Sequence, residues 1–239
     1  MVQAVFEMTT EGNAVSNIGG VVASRGLPMP LGASRSQAGV NFALRSPSAK
    51  RVKLQIFQGD AAQPTDCVDL DPSVHRTGHI WHIFISSLRN GFRYTYQVVD
   101  SQDRNWRHLL DPYAPGIAGR ERWGGAGETP ALRTGFVDAR PFNWGDSRSP
   151  RTPWCETVMY ELHTRCFTAD GSSNVEQPGT YAGLQEKIPY LSDLGVTAVE
   201  LLPIFEFEED EGARIEPDTG EPLMNMWGYH PLSFMAPKA

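Results

Sequence analysis

The segment YAGLQEKIPYLSDLGVTAVELLP, residues 181–203, decides the fold of the second half of the chain. Its apolar residues recur at helical spacing, and Gly195 is predicted to cap the helix end. Pro189 is expected in the first turn of the main helical piece, because proline interrupts a helix interior. The following VTAVELLP is dense in apolar and β-branched residues, which predicts a strand buried on both faces. A strand-like TVMYELHTR at residues 157–165 precedes the helix, so the order indicates a βαβ unit with parallel strands.

The first half of the chain shows the two-residue alternation of β-strands. Four such pieces are VNFALRS, RVKLQIF, IWHIFIS and FRYTYQVVD, at residues 40–46, 51–57, 80–86 and 92–100. Asn90-Gly91 supplies a turn between the last two. No helical window of convincing length interrupts this region. We therefore predict an immunoglobulin-like β-sandwich over residues 27–120.

Composition predicts the remaining boundaries. Residues 1–26 are small and polar with scattered glycine, and we expect them to be poorly ordered. Residues 121–153 contain a Pro/Arg/Ser-rich stretch and are predicted to be a linker. The last predicted segment, 154–239, contains the βαβ unit.

Charge and composition exclude several classes of protein. The net charge of -7 gives no clustered basic surface for nucleic acid, whereas a neutral polyhydroxyl partner is indifferent to this charge. No apolar run approaches the roughly 18 residues that a membrane span needs. The three cysteines form no disulfide or metal-binding pattern, and the first residues lack the features of a secretory signal. A cytoplasmic location is predicted, with a plastid as the alternative if the true N-terminus is missing.

Seven strings resemble known families. PLGA, GVNFAL and LLDPYA, at residues 30–33, 39–44 and 109–114, resemble the N-terminal carbohydrate-binding module of family 48. Four further strings resemble the start of an isoamylase-type glycogen or starch debranching enzyme of glycoside hydrolase family 13. They are VMYELHTRCFT, GTYAGL, KIPYLSDLGVTAVELLPIFEFEE and WGYHPLSFMAP, at residues 158–168, 179–184, 187–209 and 227–237.

The resemblance implies a fold and an activity. The fold is a β-sandwich followed by the first βαβ portion of an incomplete (β/α)8 TIM barrel, and the activity is hydrolysis of α-1,6 branch linkages with retention of configuration. Retaining hydrolysis needs two carboxylates about 5–5.5 Å apart. The family places them on the fourth and fifth barrel strands, with a third carboxylate on the seventh, whereas only two strands are recognised here. We assign no catalytic residue and expect the chain to be inactive alone.

A few aromatic residues are candidate sugar contacts. The resemblance assigns Tyr229 to ring stacking at the cleavage subsite and places Trp227 beside it. In the sandwich, Trp81 and Trp106 are candidate carbohydrate contacts because indole suits flat apolar sugar faces. The alternatives are loop packing for Trp227 and Tyr229 and core packing for Trp81, which lies in an alternating strand.

Several polar groups are assigned structural rather than chemical roles. Glu161, His163 and Glu200 are predicted to lie within strands, where polar groups normally pair with one another. The acidic residues 206–211 are predicted to form a solvated loop, and no metal or cofactor is expected.

The predicted partner is an α-glucan, either glycogen or starch, and assembly with other debranching subunits, as a homo- or hetero-oligomer, remains open. Two other functions also remain open at this point. One is a non-catalytic α-glucan-binding or regulatory subunit of a debranching complex. The other is an α-1,4-acting or branching relative with the same N-terminal architecture.

Overall fold

The computed structural model describes most of the chain. The described residues are 16–18, 21–86, 88, 90–100, 105–119, 123, 132–136, 142–209 and 214–238. The chain divides into two compact units. The first comprises residues 1–121 and 128–138, and the second comprises residues 122–127 and 139–239.

Two antiparallel sheets, each of six strands, form the first unit. One sheet contains β1 (Ser16–Ile18), β2 (Val21–Arg25), β3 (Gly32–Ser36), β4 (Gly39–Arg45), β7 (Arg76–Thr77) and β8 (Ile80–Ile85), in the order β1-β2-β8-β4-β3, with β7 beside β8. The other contains β5 (Ala49–Gln58), β6 (Asp66–Leu70), β9 (Phe92–Asp100), β10 (Arg107–Leu109), β11 (Gly116–Ala118) and β12 (Arg133–Gly135), in the order β11-β12-β9-β5-β6, with β10 beside β9.

The core of the sandwich consists of alternating residues from both sheets. Phe42 on β4 meets Tyr94 on β9 edge to face, with ring centroids 5.0 Å apart, and Leu54 on β5 is fully buried. Edge-to-face aromatic pairs add to the free energy gained from apolar burial. The predicted sandwich is therefore confirmed, because the period-two pattern places one face of each strand in a common core.

The sandwich extends beyond its predicted boundaries at both ends. Strand β2 lies within the segment that was predicted to be poorly ordered, and Val21 and Ala23 on it are buried. Strand β12 lies within the predicted linker and pairs with β9. Both strands are short, so neither carries enough alternation to be recognised from sequence. Residues 1–15 of the predicted disordered segment lie outside the described residues.

A buried carboxylate anchors the LLDPYA segment to the sandwich. Asp111 has no exposed surface, and its Oδ2 accepts a 2.8 Å hydrogen bond from the Tyr94 hydroxyl. Its Oδ1 accepts from the Tyr113 backbone N–H at 2.9 Å. Burial raises the pKa of Asp111, and these two hydrogen bonds oppose that rise. Within the described part of the chain, the buried hydroxyl of Tyr96 has no hydrogen-bond partner.

The second unit contains the predicted βαβ unit. Strands β13 (Met159–Leu162) and β14 (Ala198–Leu201) pair in parallel, and the helices between them are α1 (Thr164–Thr168), α2 (Tyr181–Glu186) and α3 (Ile188–Asp193). Pro189 lies in the first turn of α3, and Gly195 follows the helix end with φ +86°, so both predictions are confirmed.

The burial predicted for the second strand is wrong. Strand β14 has no buried residue, and Val199 on it is exposed. Within the described residues its only paired neighbour is β13, which leaves its other edge uncovered.

Two further strands complete the described part of the second unit. Strands β15 (Phe205–Phe207) and β16 (Pro231–Pro237) form an antiparallel pair. Two 3-10 helices, Trp154–Glu156 and Gly171–Ser173, lie elsewhere in this unit. Among the helices that the structure describes, none has the length and apolar character of a membrane span.

Candidate functional site

The loop between β15 and β16 presents two exposed aromatic side chains. Trp227 is 63% exposed and Tyr229 is 53% exposed. Gly228 between them is buried and has φ +76°. A Cβ at this position would lie 3.1 Å from the Phe207 ring and 3.1 Å from the carbonyl oxygen of Pro203. Only glycine combines this left-handed backbone with so close a contact, so the turn fixes the backbone between the two predicted substrate contacts.

Hydrogen bonds hold this turn from two directions. The Asn225 side chain donates to the Tyr229 carbonyl oxygen at 2.8 Å and accepts from the Gly228 N–H at 3.2 Å. His163 Nε2 lies 2.7 Å from the Met226 carbonyl oxygen. His163 was predicted to lie within a strand, but β13 ends one residue earlier and the imidazole instead caps α1. The sequence pattern missed this role because residues 157–165 look like one continuous strand.

A buried ion cluster lies at the base of the same loop. Lys238 Nζ donates to Glu206 Oε1 at 2.8 Å and lies 2.7 Å from Glu209 Oε1 without hydrogen-bond alignment. Both carboxylates are buried, so the prediction of a solvated loop over 206–211 is wrong for these two residues. The nearby ammonium group helps to compensate their charge, because buried charges need ionic or hydrogen-bonding partners. Residues 210 and 211 lie outside the described part of the chain.

The cluster also contacts aromatic side chains of the second unit. Lys238 Nζ lies 5.2 Å from the centroid of the Phe207 ring and 5.8 Å from that of Trp123. The Arg165 guanidinium also contacts the Trp123 ring, 4.3 Å from its centroid. Tyr181 donates to the Ile204 carbonyl oxygen at 3.1 Å, and burial raises the pKa of its phenol. Among the described residues, no group of three or more His, Cys, Asp or Glu side chains could hold a metal ion.

The two sandwich tryptophans differ in accessibility. Trp81 is 0% exposed and packs in the core, with the Arg76 guanidinium 5.0 Å from its ring centroid. This position leaves no ring face for a sugar, so the structure does not support a carbohydrate contact at Trp81. Trp106 is partly exposed, with Arg51 Cζ 4.7 Å and Lys53 Nζ 5.0 Å from its ring centroid.

A cleft of about 550 Å³ lies on the sheet that contains β5, β9 and β10. Its lining includes amide, imidazole and aromatic groups, among them Gln55, Gln97, His108 and Phe57. The Nε2 atoms of Gln97 and His108 are 2.9 Å apart. The two residues are opposite each other in the β9–β10 register. Trp106 lies on the same face, because its ring contacts Lys53, which is opposite Gln97 in the β5–β9 register. No sequence pattern indicated this cleft, since its residues come from strands distant in the chain.

Arg133 also lines the cleft. It is buried, its guanidinium lies 3.8 Å from the Phe57 ring centroid, and it donates to the Ala61 and Ala62 carbonyl oxygens at 2.5 and 2.8 Å. These bonds attach the loop after β5 to β12. The residue lies in a segment that the sequence predicted as linker, so it was not identified as part of any site.

Two of the glutamates that were predicted to lie within strands are neighbours in the structure. Glu161 and Glu200 are opposite each other in the β13–β14 register, and both are exposed. They lie within their strands and not at the strand ends, where barrel enzymes place catalytic groups. The predicted pairing of polar groups is not seen for these two residues, because like charges stand opposite each other and both side chains face solvent.

Comparisons with known proteins find similarity over most of the chain. The family described as Carbohydrate-binding module 48 (Isoamylase N-terminal domain) matches residues 30–114. Isoamylase 3, chloroplastic, from Oryza sativa subsp. japonica is 40% identical over 233 residues, which cover 90% of this chain and 30% of that protein. A glycogen debranching enzyme from Erwinia tasmaniensis is 36% identical, with 88% of this chain and 34% of that protein covered.

A solved structure supports the fold over the same range. The pullulanase from Paenibacillus barengoltzii, crystallised with maltohexaose and alpha-cyclodextrin, superimposes with a TM-score of 0.70 at 24% identity. The match covers 88% of this chain and 32% of the pullulanase chain. The chain thus spans about a third of the length of these relatives. The resemblance found in the sequence is confirmed: most of this chain corresponds to the N-terminal region of isoamylase-type debranching enzymes, and residues 30–114 match their carbohydrate-binding module.

Proposed function

We propose that this chain supplies α-glucan contacts for the hydrolysis of α-1,6-glucosidic branch linkages in glycogen or starch. The observation that carries the proposal is the exposed pair Trp227 and Tyr229, held on a hydrogen-bonded turn between β15 and β16, in a segment similar to debranching enzymes. Ring stacking suits the flat apolar faces of glucose, and a fixed backbone reduces the entropy lost on binding.

The residues of this chain bind rather than cleave in the proposed mechanism. Retaining hydrolysis needs a nucleophile and an acid/base held about 5–5.5 Å apart. By resemblance, both belong to the fourth and fifth strands of a (β/α)8 barrel, of which β13 and β14 correspond to the first two. Tyr229 then stacks on the glucose at the cleavage subsite, and Trp227 shapes the neighbouring cleft. We propose no catalytic role for any residue of this chain.

The sandwich provides a second proposed contact surface. Trp106 presents a partly exposed indole ring beside the cleft that Gln55, Gln97 and His108 line. Amide and imidazole groups can exchange hydrogen bonds with sugar hydroxyls, and the indole can cover an apolar sugar face. This combination supports a role for the sandwich in holding α-glucan.

The proposed cellular compartment rests on the names of the relatives. Relatives of this chain include proteins named chloroplastic, and we propose a plastid or the cytoplasm as the location. Fractionation of the source cells with an antibody against the chain tests this, and recovery in a secreted fraction contradicts it.

Binding measurements with matched variants test the proposed function. We expect Tyr229→Ala to weaken maltohexaose binding about tenfold in calorimetry, since truncating an anchoring aromatic typically costs more than 1 kcal/mol. Tyr190→Ala is the matched control, because Tyr190 is 55% exposed on α3 in the same unit.

For the sandwich, Trp106→Ala is compared with Trp144→Ala in a glycogen pull-down. Trp144 is an exposed tryptophan outside the sandwich strands, which makes it a suitable control. Equal retention by the two variants contradicts the role of Trp106. A full chain that binds neither maltohexaose nor glycogen contradicts the proposed function as a whole.

A further inference from the structure

His163 connects two elements through its two ring nitrogens. Its Nδ1 accepts a hydrogen bond from the Cys166 backbone N–H at 3.2 Å, which caps α1. Its Nε2 lies 2.7 Å from the Met226 carbonyl oxygen. A carbonyl oxygen can only accept, so Nε2 carries the proton, and the neutral tautomer satisfies both contacts. The imidazole is half-buried, which fixes the ring between the helix start and the loop.

Asn225 completes the restraint from within the loop. Its side-chain amide donates to the Tyr229 carbonyl oxygen and accepts from the Gly228 N–H. The backbone is therefore held on both sides of Trp227, at the carbonyl groups of Met226 and Tyr229. Trp227 and Tyr229 are more than half exposed, so core packing contributes little to their positions. The restrained backbone fixes the points from which the two side chains project.

We propose that His163 and Asn225 are positioning residues that hold Trp227 and Tyr229 in the geometry that contacts α-glucan. This inference rests on the proposed function. An exposed aromatic side chain on an unrestrained loop loses backbone freedom when it binds, whereas a pre-organised loop has lost it already. The two side chains thus act on sugar affinity without touching the sugar.

The variant His163→Asn separates the two roles of His163. Asparagine is a favourable N-cap, so its side-chain oxygen can still accept from the Cys166 N–H. Its shorter side chain cannot reach the Met226 carbonyl oxygen. We expect maltohexaose to bind the full chain about fivefold more weakly, which corresponds to one lost hydrogen bond. Hydrogen exchange of residues 225–229 should accelerate, while exchange in α1 and β13 stays as in the wild type.

A double-mutant cycle with Tyr229→Ala shows whether the effect passes through the aromatic residues. If His163 acts by positioning Tyr229, His163→Asn changes the affinity of the Tyr229→Ala variant by much less than fivefold, since coupled residues are not additive. Asn225→Asp is the second variant. It keeps the acceptor for the Gly228 N–H, loses the donor to the Tyr229 carbonyl oxygen, and should weaken binding to a similar extent.

The outcomes distinguish this inference from the proposed function. If Tyr229→Ala binds maltohexaose like the wild type, the proposed contact at Tyr229 fails, and the positioning role fails with it. If Tyr229→Ala weakens binding but His163→Asn and Asn225→Asp do not, only the positioning role is overturned. Fully additive effects of His163→Asn and Tyr229→Ala overturn it as well. If His163→Asn unfolds the second unit, the Asn225→Asp variant tests the positioning role instead. Weaker maltohexaose binding by that variant supports the role, and unchanged binding overturns it.

Discussion

Two tyrosines on β9 provide a direct test of the hydrogen-bond account of the sandwich. Tyr94 and Tyr96 are both fully buried on the same strand and face the same core. The Tyr94 hydroxyl donates to Asp111 at 2.8 Å, whereas the Tyr96 hydroxyl has no hydrogen-bond partner within the described residues. Replacing each with phenylalanine removes one hydroxyl and leaves the ring in place.

The two replacements should change the free energy of unfolding of the sandwich by different amounts. We expect Tyr94→Phe to lower the free energy of unfolding of the sandwich by about 1.5–3 kcal/mol, because the bond involves a buried carboxyl group. Tyr96→Phe removes a buried hydroxyl without a protein partner, so the free energy of unfolding should stay within about 0.5 kcal/mol or rise. The ring packing of Tyr94 against Phe42 is the same in both variants, which makes Tyr96→Phe the matched control.

Amide hydrogen exchange of β4 and β9 is the appropriate assay. The slowest amides of the sandwich report its global unfolding free energy separately from that of the second unit. Equal destabilisation by the two variants would refute the reasoning, because it would show that the hydroxyls matter through packing volume and not through the bond to Asp111.

Three further predictions concern charge and backbone. Lys238→Met removes an ammonium group that contacts two buried carboxylates, so exchange of β16 amides should accelerate, by the equivalent of up to about 3–5 kcal/mol, and Lys238→Arg should restore much of the protection. Burial raises the pKa of Tyr94 and of Tyr96 well above the usual value, so their contribution to the stability of the sandwich is complete below about pH 10 and is lost as the pH rises further. Urea midpoints between pH 8 and 11.5 measure this, and a profile that stays flat above pH 10 contradicts it. Gly228→Ala forces a Cβ against Phe207 and a strained backbone, so we expect weaker maltohexaose binding, while the urea midpoint of the sandwich stays unchanged because the residue belongs to the other unit.

The long regular strands and the helix signals were predictable from sequence. The predicted strand over residues 92–100 coincides with β9, because its alternation is complete and Asn90-Gly91 supplies the turn. Pro189 and Gly195 marked helix boundaries correctly, because each has a strong backbone preference. These features are local, and local patterns carry most of the secondary-structure information.

The rest depends on contacts between residues that are distant in the chain. Nothing near Lys238 in sequence indicates that its ammonium group lies between Glu206 and Glu209. Trp81 lies in an alternating strand, so the sequence allowed either a core position or a sugar contact, and only the folded structure shows that its ring is buried in the sandwich. The role of His163 arises from a loop that follows β15, so strand periodicity could not reveal it.

The bonds from Arg133 to the loop after β5 have a consequence for synthesis on the ribosome. Chains emerge N-terminal end first, and domains generally fold as units during synthesis. Strands β5 and β9 can pair once residue 100 has left the exit tunnel, but the Ala61–Ala62 turn lacks its guanidinium donor until residue 133 follows. The β5–β9 pairing can therefore form before the cleft is complete, and a pause in translation between these two points should leave the loop after β5 without its restraint.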